Sequence, residues 1–229
     1  MTTRRSIKQP IPQIFQAAEL LALFADAHLA GQMDEAERLL REANNPDVWN
    51  WTNPEWNSVH LNRRYKHPAG DTTEVPKDQR DPLAKPSPDQ WRQLIERDGY
   101  HCRYCGIPVI HDAIRKWLAF PAKKGAAKGK RPYEAAVPWH PYKLELQHAA
   151  LQCMWIQADH IVPHCHGGRT DLSNLVISCA LCNFGKWNWT LRELDILDPR
   201  DFPPLSPAER RPAGWDGLYR LVTAHAVQL

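Results

Sequence analysis

Residues 155–186 read WIQADHIVPHCHGGRTDLSNLVISCALCNFGK, and from their pattern we predict the fold at the centre of the chain. Trp155 to Val162 alternates and ends in β-branched residues, which indicates a strand. Gly167-Gly168 predicts a loop, Leu175 to Ser178 a second short strand, and Cys182 onward a helix. Such a small β-hairpin and helix could not be stable alone, so we expect a bound metal to supply the missing stability.

Four of the six cysteines form two CxxC pairs, Cys102/Cys105 and Cys179/Cys182. Each pair places two thiolates on one tight turn, and two facing turns supply the tetrahedral sulfur set that Zn²⁺ prefers. The 73 residues between the pairs (106–178) exceed the usual gap of roughly 15–20. The longer loop costs only about 1.2 kcal/mol of closure entropy, whereas structural zinc contributes an apparent ~10–16 kcal/mol. Because four cysteines fill the coordination sphere, we predict a structural zinc.

The other two cysteines are unpaired by spacing. Cys153 precedes the first strand and is expected to be a small buried hydrophobe. Cys165 lies between His164 and His166, so a second metal site is conceivable there. The alternative is a polar loop without a ligand, since a loop before Gly-Gly tolerates polar residues.

The polar residues of the hairpin and helix form a candidate catalytic set. Asp159 and His160 are adjacent on a strand, so their side chains should point to opposite faces. Asn183 lies in the first turn of the following helix, and Lys186 is three residues further on. Asp and Asn oxygens suit Mg²⁺ or Mn²⁺, and a histidine beside such a metal can accept a proton from water.

Over roughly residues 90–190 the chain resembles the HNH endonuclease family, the ββα-metal nucleases with flanking zinc-binding CxxC pairs. The motifs that carry the resemblance are Arg97-Asp-Gly-Tyr-x-Cys102-x-x-Cys105-Gly, Asp159-His160-Ile-Val-Pro, Gly167-Gly168, Asp171-Leu-Ser-Asn174-Leu and Cys179-x-x-Cys182-Asn183-x-x-Lys186. Matching order and spacing at this many points is a far more specific signal than a lone CxxC.

The resemblance implies an α+β fold with a ββα-metal core that a four-cysteine zinc site holds together. Helical spacing adds an N-terminal helical hairpin as an extension. The resemblance also implies a metal-dependent DNA endonuclease that leaves 5′-phosphate and 3′-hydroxyl ends. His160 would be the general base, and Asn174 would orient it through a hydrogen bond. Asp159 and Asn183 would hold the catalytic Mg²⁺ or Mn²⁺, and the four paired cysteines would hold structural Zn²⁺.

The chain departs from the family pattern in two places. Asn183 stands where the family often has histidine, and a neutral amide oxygen there favours Mg²⁺ or Mn²⁺ over softer metals. The long insertion at 106–154 leaves the mode of DNA docking open. A second class of function is a non-catalytic zinc module that binds nucleic acid or protein, with the ββα unit kept as a scaffold.

The charge distribution favours a polyanionic partner, which we expect to be double-stranded DNA. The formal net charge is only +3, but Tyr100 to Thr190 holds 11 Lys and Arg against 5 Asp and Glu. The candidate phosphate contacts are Lys186, Arg169 and the basic loop residues Lys123, Lys124, Lys128, Lys130 and Arg131. For each of them a solvent-facing charge is the alternative.

We predict four regions: an N-terminal helical and Trp-rich extension (1–66), a linker (67–90), a nuclease domain (91–195) and a C-terminal extension (196–229). Apolar residues at helical spacing predict two helices over residues 13–43, and Ser87 is the expected cap of a further helix. The N-terminal helices would bind a protein partner, self-associate or read DNA. Trp49, Trp51 and Trp56 are better explained as a small aromatic core than as base-stacking residues.

The chain lacks a run of about 18 apolar residues, and two prolines follow its basic start in place of an apolar core. We therefore expect a cytoplasmic protein that does not bind a membrane. The resemblance implies a bacterial or phage origin.

Overall fold

The computed structural model describes residues 6–56, 74–120, 132–140 and 143–224. Within these ranges α-helices combine with a two-stranded antiparallel sheet, so the fold is α+β as predicted. The elements in chain order are α1 (Pro12–Leu29), α2 (Met33–Glu42), α3 (Pro46–Trp56), α4 (Pro88–Asp98), α5 (Asp112–Ala119), α6 (Ala149–Cys153), β1 (Ile156–His160), β2 (Leu175–Cys179), α7 (Ala180–Lys186) and α8 (Arg220–Thr223).

The two helices predicted over residues 13–43 are α1 and α2. Leu21 and Phe24 of α1 and Leu40 of α2 are fully buried, because apolar side chains three or four residues apart share one helix face. Helix α1 also contacts α3, α6 and α8. Much of the apolar face of the helical hairpin is therefore covered by the chain itself, and its proposed role in binding a partner stays a prediction.

The tryptophans that follow α2 belong to the core. Trp51 is 4 % exposed, and its indole Nε1 donates a hydrogen bond to the Gln9 carbonyl at 2.6 Å. Trp49 packs against the same cluster of apolar side chains. The aromatic-core interpretation is confirmed for these two residues, and the side chain of Trp56 lies outside the described part.

Helix α4 begins and ends where the sequence indicates. The Ser87 hydroxyl accepts a hydrogen bond from Gln90 N at 3.2 Å, and Gln90 Oε1 accepts one from Ser87 N at 2.8 Å, which is a capping box. Gly99 caps the carboxyl end of the helix, and its φ of +65° favours glycine. The last residue of the helix, Asp98, accepts a hydrogen bond from Ile177 N of β2 at 2.9 Å. The α4 helix therefore holds the second strand in place.

The predicted hairpin and helix are present. Strand β1 pairs with β2 so that Ile156 lies opposite Cys179 and His160 opposite Leu175, and α7 packs against both strands. Helix α7 begins at Ala180, two residues before the predicted start. The reason is a cap, because Cys179 Sγ accepts a hydrogen bond from Cys182 N at 3.4 Å.

Glycine at position 168 allows the loop between β1 and β2 to close. A Cβ atom there would lie 1.8 Å from the Val162 carbonyl oxygen and 2.8 Å from Asn174 Nδ2. No side chain fits at such distances, so residue 168 must be glycine for the backbone to pack closely against Val162.

Part of the predicted linker, residues 74–83, lies against the loop between β1 and β2, and we call these residues the strap. Val75 N donates a hydrogen bond to the Cys165 carbonyl at 2.8 Å, and Thr170 N donates one to Asp81 Oδ2 at 2.8 Å. These contacts fix the strap beside the hairpin. The division of the chain into four regions stays a prediction.

The buried apolar residues form one cluster that joins the N-terminal helices, α4 to α7 and both strands. Among the described residues, we find no helix with the length and apolar composition required to span a membrane.

Candidate functional site

The two CxxC turns face each other. The turn at Cys102 closes when Gly106 N donates a hydrogen bond to the Cys102 carbonyl at 2.8 Å. Arg103 N then donates to the Ile177 carbonyl of β2 at 2.8 Å, which brings the first pair beside the second despite the long insertion. The Sγ atoms of Cys102, Cys105, Cys179 and Cys182 all lie within 4.8 Å of one another.

This sulfur geometry fits a single tetrahedral ion. Zn–S bonds of about 2.3 Å place neighbouring sulfurs about 3.8 Å apart, and the Cys105 and Cys179 Sγ atoms are 3.7 Å apart. Three of the four cysteines are buried, and Cys105 is half-buried. The cluster has the composition and shape of a structural zinc knuckle.

Asp159 points into the interior of the unit, where it has two polar partners. It is 4 % exposed. The Tyr104 hydroxyl donates a hydrogen bond to Oδ2 at 2.6 Å, and the Lys186 ammonium lies 3.2 Å from Oδ2 and 3.4 Å from Oδ1. Burial raises the pKa of the Asp159 carboxyl, and both partners oppose that shift because they stabilise the charged form.

Lys186 does not occupy the position that we predicted for a phosphate contact. It is 1 % exposed, and its ammonium also donates a hydrogen bond to the His160 carbonyl at 2.6 Å. A lysine three residues after Asn183 faces β1 because α7 packs across the strand, and a buried ammonium requires the Asp159 charge. The structure therefore assigns Lys186 to the interior of the unit.

His160 points away from Asp159, as expected for neighbours on a strand. Its Nε2 lies 2.9 Å from Thr170 Oγ1, and its ring packs edge-on against His164 with 5.8 Å between centroids. Burial, together with His164 and Lys186, lowers the pKa of His160 to about 4. The imidazole is therefore neutral near pH 7, the form that accepts a proton.

Asn174 makes different contacts from those that the resemblance implies. Its Oδ1 accepts a hydrogen bond from Val162 N at 2.8 Å, and its Nδ2 donates to the carbonyls of Val162 (3.1 Å) and Arg169 (2.9 Å). The predicted bond to His160 is absent among the described contacts. The amide instead fastens the two ends of the loop to each other, because both lie within its reach once Gly168 closes the turn.

Asn183 lies where α7 meets β1, on the same face of the strand as Asp159. Its Nδ2 donates one long hydrogen bond, 3.5 Å, to Oε1 of Gln157. Gln157 and Asp159 are two residues apart on β1, so both side chains face α7. The carbonyl oxygen of the Asn183 side chain accepts no hydrogen bond from the described residues, which leaves it available to a ligand.

The histidines that flank Cys165 form no second metal site within the described ranges. His164 Nε2 lies 2.8 Å from the Asp81 carbonyl, and His166 Nε2 lies 2.9 Å from the Asn188 carbonyl. Cys165 is 6 % exposed and Cys153 is fully buried. The alternative of a polar loop therefore describes this segment, and Cys153 is the buried hydrophobe that we expected.

Of the remaining predicted DNA contacts, Arg169 lies within the described residues, in the loop between β1 and β2. The Arg169 side chain is 80 % exposed and lies 3.8 Å from Asp171 Oδ2. Its phosphate contact stays a prediction. Lys123, Lys124, Lys128, Lys130 and Arg131 lie outside the described residues.

Three residues of the site were missed by the sequence reasoning: Tyr104, Gln157 and Thr170. The sequence did contain a signal for Tyr104, because this residue lies between the predicted zinc ligands Cys102 and Cys105. The pattern does not indicate where its hydroxyl points. The sequence contained no such signal for Thr170, because its partner Leu83 is 87 residues away in the chain.

Comparison with known proteins agrees with this arrangement. Residues 147–188 match the family model described as HNH endonuclease. The match includes β1, β2, α7, His160 and the second cysteine pair, but not Cys102 or Cys105. Neither the curated proteins nor the solved structures include a match to the chain. Residues 147–188 are therefore an HNH domain, and the CxxC pair at Cys102 and Cys105 adds two further sulfurs to it.

Proposed function

We propose that this chain is a metal-dependent DNA endonuclease that hydrolyses phosphodiester bonds to 5′-phosphate and 3′-hydroxyl ends. One observation carries the proposal. In the HNH domain the neutral imidazole of His160 directly follows the buried carboxylate of Asp159, and Tyr104 and Lys186 fix the orientation of that carboxylate. A module that only binds nucleic acid does not require an acid–base group and a carboxylate held in this way.

The cysteine cluster would hold Zn²⁺ in a structural role. Its four thiolates fill a tetrahedral site, so the ion has no open position for water or substrate. Because the cluster ties the turn at Cys102 to the end of β2, it would fix the strand on which Asp159 and His160 lie.

The oxygen donors at the contact of β1 with α7 fit Mg²⁺ or Mn²⁺. Asp159 Oδ1 has one long contact among the described residues, to Lys186 at 3.4 Å, and the side-chain oxygen of Asn183 accepts no hydrogen bond there. A carboxylate oxygen and an amide oxygen are hard ligands, and two protein ligands leave room for waters and a phosphate. Tyr104 holds Asp159 Oδ2, so Oδ1 would be the oxygen that Asp159 offers to the ion.

Each residue of the site would have a separate role in phosphodiester hydrolysis. His160 would take a proton from the attacking water, and its low pKa keeps it unprotonated before that step. Asp159 and Asn183 would hold the divalent ion, which supplies neutralisation of the charge that develops on the phosphate and on the leaving 3′-oxygen. Arg169 is exposed beside the loop and would hold a flanking phosphate of double-stranded DNA.

The test is nicking of supercoiled plasmid by zinc-loaded protein with Mg²⁺ or Mn²⁺, compared with protein without added metal. We expect relaxed circles that DNA ligase reseals, since ligase requires 5′-phosphate and 3′-hydroxyl ends. His160→Ala should abolish nicking and leave zinc content and thermal melting unchanged. His166→Ala alters a histidine of the loop that follows β1; it is the matched control and should nick like the unaltered protein.

Two results would contradict the proposal. Unaltered protein that binds DNA but nicks it with neither metal would leave the non-catalytic binding module as the function. Equal nicking by His160→Ala would remove His160 from the mechanism.

A further inference from the structure

The residue that contacts His160 Nε2 is itself held from outside the HNH domain. Thr170 is 4 % exposed, and its Oγ1 lies 2.9 Å from His160 Nε2. The same hydroxyl donates a hydrogen bond to the carbonyl oxygen of Leu83 in the strap. The strap, residues 74–83, lies beyond the part of the chain that matches the family model.

The hydrogen count at Thr170 determines which imidazole nitrogen carries the proton. A hydroxyl has one hydrogen to donate, and Thr170 donates it to Leu83. Toward His160 the hydroxyl can then only accept, so His160 Nε2 must carry a proton. In the neutral ring the other nitrogen, Nδ1, keeps the lone pair.

The strap holds Thr170 through its backbone as well. Asp81 Oδ2 accepts a hydrogen bond from Thr170 N at 2.8 Å, and the Asp81 carbonyl lies 2.8 Å from His164 Nε2. The ring of His164 in turn packs against the ring of His160. The strap therefore contacts two side chains that lie against the His160 ring, Thr170 and His164.

We propose that Thr170 and the strap position His160, holding it as the tautomer with the proton on Nε2 so that Nδ1 is the nitrogen that accepts a proton from water. Thr170 is a positioning residue in this scheme, and Asp81 and Leu83 act through it. The catalytic consequence of this proposal rests on the function proposed above. The tautomer itself does not, because it can be measured in the protein without catalytic metal or DNA.

The tautomer is measured by ¹H–¹⁵N NMR of the imidazole nitrogens in zinc-loaded protein, with the His160 signals assigned by their loss in His160→Asn. We expect a proton on Nε2 that is protected from exchange with water in the unaltered protein. Thr170→Val removes the hydroxyl at nearly constant shape and should expose that proton to exchange, whereas Thr170→Ser should restore the protection. A His160 ring protonated on Nδ1, or equal protection in Thr170→Val, overturns the proposal.

Nicking kinetics give the catalytic consequence. Thr170→Val should lower kcat about tenfold, the loss of one hydrogen bond, with little change in KM, and Thr170→Ser should restore kcat. Asp81→Ala should lower kcat in the same way, while Asp78→Ala, at an exposed position of the strap, is the matched control and should not. Unchanged kcat in both Thr170→Val and Asp81→Ala overturns the positioning role. If the unaltered protein does not nick DNA, the proposed function fails, and the NMR result still decides the tautomer.

Discussion

The hydroxyl of Tyr104 lies 2.6 Å from Asp159 Oδ2, so a side chain between the first two cysteine ligands reaches the carboxylate beside the candidate general base. Tyr104 is 3 % exposed. The phenol and the carboxylate are 55 residues apart in sequence, and the cysteine cluster brings them together. This contact connects the predicted zinc centre to the predicted catalytic metal site.

Tyr104→Phe should weaken Mn²⁺ binding at the catalytic site without loss of zinc. The substitution removes one hydrogen bond to a buried carboxylate, a contact of about 1.5–3 kcal/mol, and leaves Asp159 free to turn toward Lys186. Titration of zinc-loaded protein with Mn²⁺, followed by electron paramagnetic resonance, measures the affinity.

Tyr219→Phe is the control for that experiment, because Tyr219 is 39 % exposed. It should bind Mn²⁺ like the unaltered protein. An unchanged Mn²⁺ affinity in Tyr104→Phe would show that the contact does not orient the metal ligand.

Lys186→Met should be strongly destabilising because it leaves the Asp159 carboxylate buried without its cation. Removing one partner of a buried ion pair costs about 3–5 kcal/mol. Urea unfolding of the zinc-loaded protein measures the change in unfolding free energy. The double variant Asp159→Asn with Lys186→Met should recover part of the loss, since neither charge then remains. Additive losses in the double variant would mean that the two side chains do not interact.

One zinc ion per chain should bind to the cysteine cluster. Cys182→Ser removes one of the four thiolates and should lower both zinc content and melting temperature, because structural zinc contributes to folding. Cys165→Ser alters a cysteine outside the cluster and should retain the metal. Metal analysis of the purified proteins provides the measurement. Loss of zinc from Cys165→Ser would contradict the ligand set.

The buried residue His148 should make the fold sensitive to acid. Its Nε2 lies 2.9 Å from the Leu40 carbonyl and its Nδ1 accepts a hydrogen bond from Leu151 N, and burial lowers the pKa of His148 to about 4. The unfolded chain takes up the proton near pH 6.5, before the folded protein does, so stability is complete above pH 6.5 and falls as the pH drops toward 4. The full loss is about 3 kcal/mol, of which about 2 kcal/mol is lost by pH 5.

His148→Gln keeps a donor for Leu40 but does not titrate. The drop in unfolding free energy from pH 7 to pH 5, measured by urea unfolding, should be smaller in this variant than in the unaltered protein. Other buried groups titrate in both proteins, so their effects cancel in the comparison. An equal drop in both would show that His148 does not contribute.

Local patterns in the sequence were sufficient for several elements of the fold. Helical spacing predicted α1 and α2, the Ser87 cap predicted the start of α4, and alternation between turn residues predicted β1 and β2. The two CxxC pairs predicted the four-sulfur cluster. These features depend on residues close together in the chain or on a metal geometry that leaves few alternatives.

The direction of each side chain was decided by tertiary packing. Lys186 has the same sequence context whether it faces DNA or Asp159, and only the packing of α7 across β1 turns it inward. Asn174 bonds the loop backbone and Thr170 takes the place beside His160 because the loop and the strap meet there. The contacts of Thr170 with the strap join residues more than 80 positions apart, and those of Lys186 and Asn174 depend on how α7 and the loop pack. Such contacts leave no periodicity or spacing in the sequence, so their partners are defined only when the folded chain brings the segments together.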